Sequence, residues 1–533
     1  MRLLSLLAVL FALLVALPAE AASLFDPAIR WKTIVTPHFR VNFPEGYEDV
    51  AKRAAGYAEE AHQLLSPYLD EVPERRTELN LMDNQDMANG FGFPLPNNQI
   101  FIYLTSSSED HFSGRYDSYL RDLLIHEYTH VLHLEKTAGL PAWINGFFGR
   151  SYFPNMFQPI FLIEGLAVTT ETRFSHGGRG RDSIYRAYLR VAALEEKLVG
   201  IDKASGYNTV DHPGGEIPYV YGTAFYRFLT ERYGEAAPAA IADRYAHYPF
   251  FGLYGVDETL KAVTGKDAGT LWAEMQTWLT VRATVEREAI LAQGPLTRLT
   301  PVTTGGMHHR RPVYRPDGTL VYAGWDGHGY SYLYQAGGQA PKAIISKGPF
   351  GRYTYSADGR YIYHTRNWDD NRFTGYDDLF RWDTKERKID RLSERERLSE
   401  PAVSPDGRWV VAVKNEKGQN NLIKMRADGT DKRALTALSD HTQLGGPAWH
   451  PTRHTIAVSA WRDGSRDLYL VDPESGRMKP FWKDRDVELS PTFSPDGRYM
   501  IYSSDATGVF NLYAYELETG KLFRMTNVLG GLF

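Results

Sequence analysis

The chain contains no cysteine. Disulfides, thiolate nucleophiles and cysteine-ligated zinc or iron–sulfur sites are therefore excluded, and metal chemistry must draw on His, Asp and Glu. An excess of basic charge is also missing. Lys plus Arg total 60 against 65 Asp plus Glu, a net charge of -5, which argues against a general nucleic-acid binder. No acidic tail is present. Beyond the first 22 residues, no apolar run approaches the roughly 20 residues needed to cross a bilayer. What the chain does have is length and aromatic content. Its 533 residues suffice for roughly two to four domains. Charged residues at 23% and hydrophobics at 43% indicate a globular chain. Aromatics reach 13%, with 33 Tyr and 11 Trp, which points to β-rich structure or a large carbohydrate- or peptide-facing surface.

Residues 1–22 read as a signal peptide. Arg2 supplies a positive start, and Leu3 to Leu17 form an apolar core too short for a membrane anchor. Pro18 breaks the core, and Ala19-Glu20-Ala21 fits small-x-small cleavage. The mature chain is expected to be exported to a bacterial periplasm or cell envelope, with no transmembrane span.

Two patterns divide the rest. In 23–290, Phe39-Arg40-Val41-Asn42-Phe43 alternates like a half-buried strand. Val50, Ala54, Tyr57, Ala61, Leu64 and Tyr68 recur at helical spacing. Leu79–Leu81 and Ile100–Leu104 read as strands, and Asn89–Pro94, rich in Gly, as a loop. Helices are expected over 117–134, 159–175, 182–198, 219–233 and 268–289. In 291–533 the pattern changes to short strands and Pro-Asp-Gly turns. These turns recur at Asp317, Asp358, Asp406 and Asp496, with a degenerate copy at Thr452, spaced by 41, 48, 46 and 44 residues. Each is followed by an element such as Asp467-Leu468-Tyr469. Pro presets the first turn dihedral, Asp caps locally and Gly takes positive φ, so the turns read as structural. Five imperfect copies of this period indicate a propeller of four-stranded blades.

The chemistry lies in His126-Glu127-Tyr128-Thr129-His130. On a helix the two His, four residues apart, share one face and can reach one ion, with Glu127 beside it to take a proton from water. Zinc needs a third protein ligand and an open position. Glu164-Gly165-Leu166-Ala167 opens a second apolar helix, and Glu171 lies two turns further on the same face. His133 reads as a packed or solvated histidine, because a metzincin would need Gly there and His at Lys136. The aromatics Trp143, Phe147, Phe148, Tyr152, Phe153, Phe157 and Phe161 read as core, with a hydrophobic substrate wall or a membrane-touching loop as the sharper alternative.

The repeat region resembles TolB-like, WD-repeat-like bacterial propellers over residues 295–533. That resemblance implies six blades. Five copies are seen, so the C-terminus falls where a sixth would begin, and the sequence reads as a truncated copy. The alternative is a five-bladed ring closed by a strand at Leu296–Thr300. The HEYTH and EGLA segments resemble the gluzincin metallopeptidases, the group that includes thermolysin and the zinc aminopeptidases. The N-terminal region is most similar to the bacterial peptidase MA-like domains that precede TolB-like propellers.

This resemblance implies a multidomain protein, an α+β zincin-type metallopeptidase domain joined to an all-β propeller. His126, His130 and Glu164 would bind Zn2+, Glu127 would be the general base, and Glu171 would orient a ligand His. A Tyr from the helix around 219–225, Tyr221 or Tyr219, would stabilise the oxyanion, with His212 a weaker candidate; an aromatic packed against the ligand helices is the bland alternative. The GxMEN strand of aminopeptidases is absent, since Phe91-Gly92-Phe93-Pro94-Leu95-Pro96 carries no acid. Exopeptidase action on free N-termini is not expected. The expected function is thus an exported zinc endopeptidase acting on a peptide or protein substrate, with a protein-binding propeller. The alternative is a non-catalytic envelope scaffold whose propeller recognises a partner.

Overall fold

The computed structural model describes residues 25–105, 115–207, 210–249, 255–303, 308–325, 331–337, 342–346, 352–371 and 373–532. The segment read as a signal peptide lies outside them. The N-terminal half is a five-stranded sheet covered by helices. Its strands are β1 (Trp31–Val35), β2 (Phe39–Pro44), β3 (Thr77–Met82), β4 (Gly90–Phe93) and β5 (Gln99–Tyr103), in the order β1-β2-β3-β5-β4. The pairs β2–β3 and β3–β5 are parallel, while β1 and β4 run antiparallel to their neighbours. Alternation decides which face is buried: Phe39, Val41 and Phe43 point inward while Arg40 is exposed.

Helix α1 (Glu48–Leu69) lies on this face through Ala51, Ala54, Ala58, Ala61 and Leu65. Helix α2 (Tyr119–Glu135) joins it, and every residue from Leu124 to Glu135 is buried. Helices α3 (Gly139–Phe148), α4 (Ile160–Arg173), α5 (Ser183–Leu194), α6 (Ile201–Ala204), α7 (Ile217–Tyr233), α8 (Ala237–Ala246), α9 (Gly255–Thr264) and α10 (Ala268–Ala292) complete this half. Helices α4 and α7 cross backbone to backbone. A Cβ on Gly165 would lie 2.4 Å from the carbonyl carbon of Gly222, and one on Gly222 would lie 2.1 Å from Phe161 O.

Asn89–Pro94 is not simply a loop, because Gly90–Phe93 forms β4. Gly90 and Gly92 turn toward α2, where a Cβ on Gly92 would meet Glu127 O at 2.4 Å. Phe91 and Phe93 stack instead on Phe101, with centroids 4.8 and 6.0 Å away. The strand alternates with period two, but its inward residues are glycines, so hydrophobicity does not reveal it.

Five four-stranded antiparallel sheets follow, each of four consecutive strands: β6 (His308–Tyr314) to β9 (Lys342–Ser346), β10 (Tyr353–Tyr355) to β13 (Lys388–Arg391), β14 (Leu398–Val403) to β17 (Arg433–Ala434), β18 (Gln443–Trp449) to β21 (Met478–Trp482), and β22 (Glu488–Phe493) to β25 (Leu522–Arg524). The turns work as their chemistry dictates. Asp358, Asp406 and Asp496 accept from the backbone N–H two residues on, and the following glycines hold φ near +70°. In the degenerate copy His450 Nδ1 accepts from the backbone of Thr452 and Arg453. The described residues hold five blades and not the six expected. Leu296–Thr300 is not a strand either; Thr297 N donates to Asn527 O at 2.8 Å without a ladder.

The propeller is bolted to the sheet domain by buried charge. Arg397, beside β14, reaches Asp83 and Asp86 at 2.7 Å each and donates to Thr105. Arg115 forks onto Asp505, and Trp461 Nε1 donates to Tyr116 O. These contacts fall at the ends of β3 and β5 and just before α2, so the propeller abuts the start of the helix that carries the HEYTH segment.

Candidate metal centre

Helix α2 places His126 and His130 one turn apart, and α4 brings Glu164 against both. His126 Nε2 lies 3.2 Å from His130 Nε2, and Glu164 Oε2 lies 3.4 and 3.3 Å from the two nitrogens. All three residues are buried. Three donors converging at these separations fit a single small cation. Nitrogen and oxygen donors at about 2.0–2.1 Å from a tetrahedral zinc are about 3.3 Å apart. Glu164 Oε2, His130 Nδ1 and Glu127 Oε2 are buried with no hydrogen-bond partner among the described residues. A buried carboxylate oxygen without a donor, facing two imidazole nitrogens, fits the donor set of a cation site.

Behind His126, Glu171 Oε2 lies 3.0 Å from Nδ1. Arg179 grips that carboxylate through its backbone N–H, Nε and Nη2, each at 2.9 Å. Arg179 Nη2 is also 2.8 Å from His126 Nδ1. Both groups share Glu171 as acceptor when Nδ1 carries the proton, which leaves the Nε2 lone pair facing His130 and Glu164. Burial opposes ionisation of Glu171, but the Arg179 charge and the His126 hydrogen bond outweigh it and hold the carboxyl down at about 2. Burial lowers the His126 pKa and Arg179 lowers it further, yet the facing Glu164 and Glu171 carboxylates raise it overall, to about 9. Burial raises the pKa of Glu127.

Two further groups meet the centre. Tyr207 donates its hydroxyl to Glu164 Oε1 at 2.8 Å. Tyr219, from α7, stacks 6.4 Å from the His126 ring and lies under the Arg179 guanidinium. Burial first, and then the Glu164 charge, keep both phenols protonated.

No family model matches the chain. Among curated proteins it is similar to a TolB homolog from Chlorobium luteolum, 30% identical over 122 residues, covering 23% of this chain and 27% of that protein. It is also similar to the Tol-Pal system protein TolB of Anaeromyxobacter dehalogenans, 30% identical over 118 residues, covering 22% and 26%. An uncharacterized protein from Treponema pallidum is 23% identical over 343 residues, covering 62% of this chain and 28% of that one. The chain spans about a quarter of the length of the curated relatives it matches. Among solved structures, TolB from Acinetobacter baumannii aligns at 17% identity with a TM-score of 0.31, covering 47% of this chain and 59% of that one. The propeller is TolB-like. No helix among the described residues is long and apolar enough to cross a membrane.

The structure brings together His126, His130, Glu164 and Glu171, with Glu127 on the same buried helix. It does not bring Tyr221. That ring is 2% exposed, stacked on Trp272, and its hydroxyl accepts from Val199 N at 3.3 Å. Residues two apart on a helix point in nearly opposite directions, so Tyr219 and Tyr221 cannot both face the centre. Tyr221 is therefore a core residue, and Tyr219 takes the position considered for it. His133 is buried, its pKa pushed by burial down to about 3. His212 sits edge-on to Tyr188, away from the cluster. The aromatic run divides: Tyr152, Phe153 and Phe161 are buried, whereas Trp143, Phe147 and Phe148 are 63–71% exposed. Sequence reasoning missed Arg179 and Tyr207. The glycines flanking Arg179 were its one signal, and Tyr207 carried none.

Proposed function

We propose that the sheet domain is a zinc-dependent peptidase and that the TolB-like propeller binds protein in the cell envelope. The observation that carries the catalytic part is the buried His126–His130–Glu164 triangle beside Glu127, whose Oε2 has no hydrogen-bond partner among the described residues. Zinc held there would supply a Lewis acid and an activated water. The chain's own groups do the rest. Glu127, its pKa raised by burial, takes a proton and returns it to the leaving amine. Tyr207, whose hydroxyl contacts Glu164, and Tyr219, whose ring stacks beside His126, would donate to charge that develops on a substrate oxygen. Glu171 and Arg179 hold the His126 ring and its tautomer. Among the described residues β4 pairs only with β5 in its sheet, so its other edge would take an extended peptide as an added strand beside Glu127. The test is cleavage of casein or quenched peptides by the zinc-loaded chain. Activity lost in Glu127→Gln with zinc retained supports the reading; equal rates for the two proteins overturn it.

The second reading is an envelope scaffold with an idle centre, and the similarity to TolB homologues supports it more directly than the peptidase. It predicts partner capture that survives Glu127→Gln and is lost when the propeller is disrupted. The buried Glu127 Oε2, without a hydrogen-bond partner among the described residues, favours the enzyme, because a scaffold needs ligands but no base.

A further inference from the structure

The propeller holds a second convergence of acidic groups, at the junction of its fourth and fifth blades. Asp467 on β20 (Ser465–Val471), Asp484 after β21 and Glu488 at the start of β22 place one oxygen each within 4.8 Å of one another. Asp467 and Glu488 are fully buried, and Asp484 is exposed. Two independent observations indicate that the cluster faces a ligand.

The first is Glu488 itself. Its Oε1 accepts from Ser504 Oγ at 2.8 Å, but its buried Oε2 has no partner among the described residues. Burial, then the charges of Asp484, Asp467 and Asp486, raise its pKa to about 9. The second is the comparison the repeats provide. Glu488 stands six residues before the turn at Ser494. The corresponding residues before Ser404 and His450 are Leu398 and Leu444, both buried. The fifth blade thus puts a carboxyl where the third and fourth use leucine. The partner position differs too. Asp378, Asn421 and Asn511, the equivalents of Asp467, each accept from a Ser or Thr hydroxyl on the outgoing link: Ser393, Thr436 and Thr526. Asp467 accepts instead from Ser465 Oγ at 2.7 Å and, like Asp378 and Asn421, from the backbone N–H 17 residues on, which in this blade belongs to Asp484 and brings a second carboxylate beside the first.

We propose that Asp467, Asp484 and Glu488 bind a calcium ion that fastens the fourth blade to the fifth. Three oxygen donors and no nitrogen or sulfur select a hard cation. The irregular set, drawn from a strand, a link and a second strand, suits calcium's loose geometry better than magnesium's octahedron. The exposed side at Asp484 leaves room for water ligands.

The test uses the full chain, stripped with chelator and returned to chelator-free buffer, titrated with CaCl2 or MgCl2 by calorimetry and followed by thermal melting. One calcium per chain is expected, in the range of about 0.1–1 mM typical of extracellular sites, with a raised Tm and a weaker magnesium response. Glu488→Gln keeps the Ser504 contact, and Asp484→Asn changes an exposed side chain. Each should fold, as circular dichroism will report, and should bind calcium at least about tenfold more weakly. His130→Ala should leave the calcium response intact, which separates this site from the His126–His130–Glu164 centre. No response to calcium, an equal response to magnesium, or calcium binding unchanged in Glu488→Gln would overturn the proposal. In the first case Glu488 is simply a protonated buried acid.

Discussion

Replacing Gly222 by Ala tests whether the α4–α7 crossing is what aims Glu164. The added Cβ would lie 2.1 Å from Phe161 O and 2.8 Å from Gly165 Cα, both backbone atoms that no rotamer change can clear. Ordinary contact begins near 3.4 Å, so the helices must part by about 1.3 Å. Glu164 rides on α4, and its Oε2 sits 3.3–3.4 Å from the two His nitrogens. A shift of that size removes it from the about 3.3 Å edge that zinc requires. Overpacking of this kind costs about 1–3 kcal/mol, or roughly 2–12 °C in Tm at about 2–4 °C per kcal/mol. Zinc affinity measured by chelator competition should fall at least about tenfold. Gly56→Ala is the control. It lies in α1 with nothing within 4 Å of the new methyl, and should stabilise by about 0.5–1 kcal/mol. If Gly222→Ala melts and binds zinc like the parent, the close crossing does not position Glu164.

Glu171→Gln should lower zinc affinity by about 10–100-fold in a chain that still folds, read by chelator competition, because Gln cannot hold His126 and Arg179 by charge; unchanged affinity would reduce Glu171 to a structural acid. Arg397→Ala leaves Asp83 and Asp86 buried without their shared cation, costing about 3–5 kcal/mol. Calorimetry should then resolve separate transitions for the sheet domain and the propeller, and a single unshifted peak would contradict this. His133 is held neutral by burial, its pKa about 3 against an ordinary 6.5. The unfolded chain therefore takes the proton first. Stability is full above about pH 6.5 and falls by about 1.4 kcal/mol per pH unit as pH drops toward 3. Urea midpoints between pH 7 and 5 should show a shallower slope in His133→Leu; an identical slope would refute the assignment.

Much of the architecture was legible because periodicity is local. The helices at 117–134, 159–175, 219–233 and 268–289 lie within a few residues of α2, α4, α7 and α10. The blades announced themselves through turns whose Asp and Gly do the same work each time. The HEYTH spacing encodes a shared face, so the convergence of His126 and His130 followed from helical geometry alone. What the sequence hid was tertiary. Strand β4 was masked because its inward residues are glycines chosen for closeness to α2. Which of Tyr219 and Tyr221 faces the centre depends on how α7 is rotated, and the bulk of Trp272 beside Tyr221 decides it. Arg179 and Tyr207 arrive from segments whose only relation to the centre is proximity in space. Glu488 looks like any surface acid until the neighbouring blades show leucine in its place.

The central claim is that His126, His130 and Glu164 form one zinc centre. Its most direct test is the zinc content of the folded, full chain after exposure to zinc and removal of excess metal. One equivalent per chain is predicted, retained in Glu127→Gln and lost in Glu164→Ala. A folded chain without stoichiometric zinc, or zinc retained in Glu164→Ala, would contradict the account.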